Sequence, residues 1–255
     1  MNRIDKLFRT KSKNILSIYF TAGHPNLNDT TAIIKAIEKS GADMIEIGIP
    51  FSDPIADGPV IQQSNQKALK NGISLKLIFE QLKDIRKDVS IPLILMGSFN
   101  PIFRFGIDKF CRACNEIGID GTIIPDLPVY EYEERYLSFF EKNNLYNIFL
   151  VTPQTEEARI RYLDKLSKGF IYMVSSYSTT GSGKGFEQSQ SYFERMSKMN
   201  IKNPLLIGFG IKDKSTFQDA CRFANGGIIG TAFIRALEKE GKIEEKVNNF
   251  TKEIL

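Results

Sequence analysis

Residues 16–48 read LSIYFTAGHPNLNDTTAIIKAIEKSGADMIEIG. The run LSIYFT (16–21) is β-branched and aromatic, and a turn of Gly, Pro and Asn follows it. An amphipathic stretch comes next at 28–40, and then a second β-type run, DMIEIG, at 43–48. The unit is strand, helix, strand. Further strands are predicted at 91–97, 121–124, 147–151, 169–174, 204–208 and 226–230. Helices fit between and after them at 106–117, 130–143, 155–167, 188–199, 213–224 and 231–239, with Asn28, Thr155 and Asp213 as candidate caps. Eight strands, each followed by helical sequence, predict a (β/α)8 barrel. A doubly wound sheet needs fewer strands at this length, and no G-x-G-x-x-G follows the first one. No linker or composition shift interrupts the 255 residues, so one barrel domain over 1–255 is expected, with extra helices at 2–9, 60–70 and 241–253.

With 42% hydrophobic and 25% charged residues, the chain can bury a core without disulfides or metals. Lys and Arg exceed Asp and Glu by 34 to 30, and the surplus is spread along the chain, so a nucleic-acid partner is not expected. Apolar runs such as IPLILMG (91–97) break within about eight residues, far short of the roughly 20 needed to span a membrane. The start, MNRIDKLFRTKSKN, is polar and unlike a secretory signal, which points to the cytoplasm. Cys111 and Cys114 form a C-x-x-C, but the chain has a single histidine and no second such pair. Two small apolar residues on one helix face are therefore expected, and no metal.

Barrel chemistry sits where strands end and loops begin. In DMIEIGIPFSDPIADGPV (43–60), strand alternation sends Ile45 and Ile47 toward the helices and Glu46 into the barrel. Unpaired burial of a charged carboxylate is expensive, so its pKa should rise into the range of a general acid/base. Asp57 supplies a second carboxylate at the same barrel end, whereas Asp53 reads as a turn residue before proline.

The string IEIGIPFSDPIADGP, with YFTAGHP at 19–25, LMGSFNPI at 95–102, PDLP at 125–128, TTGSGKG at 179–185 and GFGI at 208–211, resembles the tryptophan synthase alpha chain family over essentially the whole chain. The resemblance implies a (β/α)8 barrel and retro-aldol cleavage of indole-3-glycerol phosphate to indole and glyceraldehyde 3-phosphate. Glu46 matches the family's proton-transfer residue, and Asp57 matches the aspartate that holds the indole N–H. Tyr19, Ile61, Leu95, Ile123 and Tyr172 occupy positions matching the indole pocket, where each could equally be plain core. The family's partner is a beta chain carrying pyridoxal phosphate, in an alpha2beta2 heterotetramer, and no cofactor is expected in this chain.

Glycine-rich turns follow strands six, seven and eight, where backbone N–H groups can approach an anion. Gly181, Gly210, Gly230 and Thr231 match the family's phosphate positions, and Thr180 matches a threonine linking the 175–187 lid to the loop near Asp57. Many members carry an arginine after YMVS, where this chain has Ser176 and Tyr177. His24 is expected to be a turn residue. Asn100, Pro101, Asp126 and Pro128 match loops that face the beta chain. Three alternatives remain: a sugar-phosphate isomerase or aldolase, a free-standing indole-3-glycerol phosphate lyase, and a non-catalytic allosteric partner of the beta chain. A Schiff-base aldolase would need an inward lysine, which the predicted strands lack.

Overall fold

A computed structural model describes residues 1–54, 57–175 and 190–255. Its eight strands are β1 (Ile15–Thr21), β2 (Met44–Gly48), β3 (Leu93–Met96), β4 (Gly121–Ile123), β5 (Tyr146–Val151), β6 (Ile171–Val174), β7 (Leu205–Gly208) and β8 (Gly226–Ile229). Each pairs in parallel with its sequence neighbour, and β8 closes on β1. The expected barrel is present, with strand limits within a few residues of those predicted.

Alternation along each strand divides the apolar residues into two clusters. Ile15, Tyr19, Met44, Ile94, Met96, Ile123, Ile148, Tyr172, Leu206 and Ile228 fill the barrel. Their odd-and-even counterparts, such as Ile18, Ile45, Ile47, Leu93 and Leu95, pack against the helices. Both faces are apolar because both are covered.

Helix α1 (Arg3–Thr10) closes the N-terminal end of the barrel. Asn2 caps it by accepting from the Ile4 N–H at 2.9 Å and donates its amide to the Asp120 carbonyl at 2.8 Å. Ile4 plugs the interior from below. The Asp120 carboxylate is fully engaged: it faces Arg3 at 3.0 Å and Arg86 at 2.5 Å and accepts from the Leu93 N–H at 2.9 Å. This ionic cluster stabilises the end opposite the loops that follow the strands.

The helical layer departs from expectation in places. Between β2 and β3 the chain forms α3 (Pro59–Lys70) and an unforeseen helix, Leu75–Leu82, capped by the Ser74 hydroxyl. The stretch predicted as one helix at 130–143 contains a π-helical segment, Tyr132–Tyr136, between short α-helical pieces. Asp213 caps its helix through a reciprocal capping box with Thr216. Asn28 and Thr155 do not cap. Helix α2 (Thr30–Lys39) starts after Asp29, and the Thr155 hydroxyl accepts from the Thr152 N–H while its helix starts at Glu157.

Cys111 and Cys114 face the core from helix Ile107–Ile117, and burial raises both thiols, that of Cys111 to about 12. They are protonated packing residues. Among the described residues no cluster could hold a metal ion, and no helix is long and apolar enough to cross a membrane.

Candidate active site

Glu46 sits inside the barrel at the register level of Tyr19 on β1 and Ile94 on β3, with no surface exposure. Its Oε1 accepts a 3.0 Å hydrogen bond from the Ser17 hydroxyl, while Oε2 is buried without a partner among the described residues. Desolvation therefore dominates: the carboxyl is pushed from 4.5 up to about 8, with the Ser17 hydrogen bond opposing the rise. Asp120 and Glu46 thus make a useful contrast. One buried carboxylate is spent on partners at the closed end, and the other is left half-satisfied midway along β2, inside the barrel and beneath the residues that line the cavity beside Asp57.

Asp57 lies on the loop between β2 and α3. The Asn65 side-chain amide donates to Asp57 Oδ2 at 3.0 Å, and Gln62 donates to the Asp57 carbonyl at 2.8 Å, so the first turns of α3 hold this residue in place. Burial raises its carboxyl to about 6, opposed by the Asn65 hydrogen bond, which leaves it mostly ionised at neutral pH. A cavity of about 250 Å³ opens beside it, lined by Tyr19, Ile49, Phe51, Asp57, Met96 and Pro125 among others. Apolar walls with one carboxylate suit a flat aromatic group carrying an N–H.

Tyr19 joins the parts of the site. A Cβ on Gly48 would stand 2.3 Å from the Tyr19 hydroxyl, and one on Gly230 would stand 3.1 Å from its ring. The tyrosine therefore spans from the end of β2 to the end of β8 because glycine leaves room at both. Tyr172, on β6, uses the same device, its hydroxyl only 2.0 Å from where a Gly208 Cβ would be. Burial, aided by the charges of Glu46 and Asp57, raises both phenols far above their ordinary range, so they stay neutral.

After β7 the backbone takes left-handed geometry at Phe209 (φ 69°) and Gly210 (φ 77°). Such a φ is uncommon for a bulky residue. The Ser175 hydroxyl holds the Phe209 carbonyl at 2.7 Å, and the Phe209 ring stands edge-on to Tyr172. Gly230 precedes helix Thr231–Leu237 directly, so Gly210, Gly230 and Thr231 share one rim of the barrel. Thr180, Gly181, Ser176 and Tyr177 lie outside the described residues.

Of the expected pocket residues, Tyr19, Ile123 and Tyr172 face the interior and Ile61 packs against that cluster. Leu95 does not. It pairs with Ile47 in register and shares the helix-facing core with it, because β3 turns Ile94 and Met96 inward. Met96 takes its place on the cavity wall. Met96, Ser17 and Asn65 were all missed. The parity rule applied to Glu46 would have placed Ser17 and Met96 inward, and Asn65 stands two helical turns from Asp57. His24 sits in the turn after β1, and its buried ring is not on the cavity wall. Glu238 stands 3.7 Å from its Nε2, and desolvation, with the Lys67 charge, lowers its pKa.

The sequence profile described as "Tryptophan synthase alpha chain" matches residues 6–254. The chain belongs to the tryptophan synthase alpha chain family. It is 57% identical to the alpha chain of Flavobacterium psychrophilum over 255 residues, covering all of both chains. It is also 57% identical to that of Phocaeicola vulgatus, covering 96% of each. The crystal structure of the Legionella pneumophila alpha chain superposes with a TM-score of 0.87 at 35% identity, covering 100% of this chain and 96% of that one. A chain of the tryptophan synthase complex of Pyrococcus furiosus gives 0.85 at 30%, covering 96% and 98%. Membership of this family gives the chain a lyase role in tryptophan synthesis.

Proposed function

We propose that the chain cleaves indole-3-glycerol phosphate into indole and glyceraldehyde 3-phosphate, with Glu46 carrying both proton transfers. The observation that carries this is the unpartnered Oε2 of a buried, largely protonated carboxyl inside the barrel. Glu46 gives its proton to indole C3, and the ring becomes an indoleninium cation. The ionised Asp57 accepts the ring N–H and offsets the charge. The Glu46 carboxylate then takes the proton of the hydroxyl on the carbon attached to C3. The O–H electrons form the carbonyl, the C–C bond breaks, and its electrons restore the aromatic ring. Glu46 ends protonated, ready for another turnover.

Tyr19, Ile61, Met96, Ile123 and Tyr172 would enclose the ring, while Gly210, Gly230 and Thr231 would present backbone N–H groups to the phosphate. Gly181 and Thr180, outside the described residues, are assigned to the same phosphate region by the family resemblance alone. Tyr19 touches both the β2 and β8 ends, which supports one small molecule reaching both regions.

The described strands contain no lysine, so neither a Schiff-base aldolase nor a pyridoxal phosphate linkage has an attachment point on them. The scheme assigns that cofactor to a beta-chain partner, in an alpha2beta2 assembly. Exposed Phe103 and Tyr130, on the short helices Phe99–Phe105 and Val129–Glu131 that follow β3 and β4, would meet the partner. The half-satisfied carboxyl disfavours a purely allosteric barrel, where such burial would be a cost without a purpose.

An indole-release assay with and without the cognate beta chain tests this function. Indole should appear slowly from the chain alone and faster with its partner. Equal rates would indicate a free-standing lyase, and no indole under either condition would refute the assignment.

A further inference from the structure

We propose that Ser17 is a positioning residue for the acid–base carboxyl, its hydroxyl fixing Oε1 so that Oε2 alone is presented for proton transfer. Ser17 is wholly buried on β1, two residues before Tyr19, and its Oγ donates to Glu46 Oε1 at 3.0 Å. Among the described residues this is the one hydrogen bond made to that carboxyl, and Oε2 is left without a partner. Packing gives no reason for a hydroxyl here. The inward neighbours Ile15, Met44 and Ile94 are apolar, and an alanine or valine would build the same barrel interior.

A single donor on one oxygen does two things. It selects one carboxyl rotamer, so the other oxygen points at the same place in each turnover. It also stabilises the ionised form that exists after the proton has moved to carbon, because a hydrogen bond to a charged acceptor is stronger than one to a neutral acid. The remaining groups facing Glu46 cannot substitute. Among the described residues, Tyr19 from β1 and Tyr172 from β6 are neutral phenols without a hydrogen bond to it, Asp57 on the β2 loop is held by Asn65 and does not act on it, and β3 contributes the apolar Ile94 at its register.

This role rests on Glu46 being the acid–base group, and the experiment separates the two. Ser17→Ala, Ser17→Cys, Ser17→Thr and Glu46→Gln are compared in the full chain with its beta chain. The readouts are the pH dependence of kcat for indole release and a 13C-carboxyl NMR titration, with Glu46→Gln identifying the Glu46 resonance. In wild type the Glu46 ionisation falls near 8. Ser17→Ala should raise it by about one pH unit in both readouts and lower the plateau rate about tenfold. Ser17→Cys, a weaker donor, should fall between, and Ser17→Thr should titrate like wild type. Inactive Glu46→Gln together with an unshifted Glu46 titration in Ser17→Ala or Ser17→Cys would overturn the role of Ser17 alone. Near-normal turnover by Glu46→Gln would instead overturn the reading of Glu46 on which it stands.

Discussion

Replacing Glu46 by Gln should make the fold more stable, and increasingly so as the pH rises. The native carboxyl titrates at about 8, against 4.5 for a free glutamate, and burial is the main cause. Above pH 4.5 the unfolded chain has released this proton while the native chain still holds it. The unfolded state therefore binds fewer protons, and native stability falls as pH rises, by about 1.4 kcal/mol per pH unit, until the native carboxyl ionises as well. Glutamine keeps the shape of the side chain but carries no titrating proton. Between pH 5 and 8 the variant should gain about 4 kcal/mol on wild type, or roughly 10 °C in Tm for a chain of this size. Urea unfolding followed by circular dichroism at pH 5, 6, 7 and 8 reads this directly. Any packing difference between the two side chains adds a constant offset, so the slope is the quantity that matters. A stability difference independent of pH would refute the claim that an unpaired carboxyl is buried at this position.

Gly210→Asp should weaken glycerol 3-phosphate binding by at least about tenfold, since it forces a side chain into left-handed backbone and brings a negative charge to the phosphate rim. Calorimetry reads the affinity, and an unchanged Kd would move the phosphate elsewhere. Leu95→Ala should cost about 2–5 kcal/mol of stability while leaving KM within about twofold, because the side chain packs against helices. Ile123→Ala should raise KM because its side chain faces the interior. The reverse pattern in steady-state kinetics and unfolding would contradict the assignment of these two strand faces.

The barrel was legible because both faces of its strands are apolar and the turn residues recur at each strand end. Glu46 stood out for the same reason, as a charge at an inward position between apolar neighbours. The helix Leu75–Leu82 is hidden in the sequence because it follows α3 after only a short turn, with Ser74 as its single start signal. The π-helical segment at Tyr132–Tyr136 has no sequence signature, since Tyr, Glu and Arg all suit an α-helix. Leu95 matches a pocket position only through the family resemblance; strand alternation with the inward Ile94 and Met96 puts it among the helices. Tertiary arrangement supplied what periodicity could not. Tyr19 and Tyr172 lie over their neighbouring strands only because glycines stand there, at 48 and 208.

The central claim is that one buried carboxyl moves both protons. Its most direct test is indole release by Glu46→Gln in complex with the beta chain, alongside the affinity of the same variant for glycerol 3-phosphate. Release should fall by at least about a hundredfold while the affinity stays at its wild-type value. Release at close to the wild-type rate would show that another group transfers the protons.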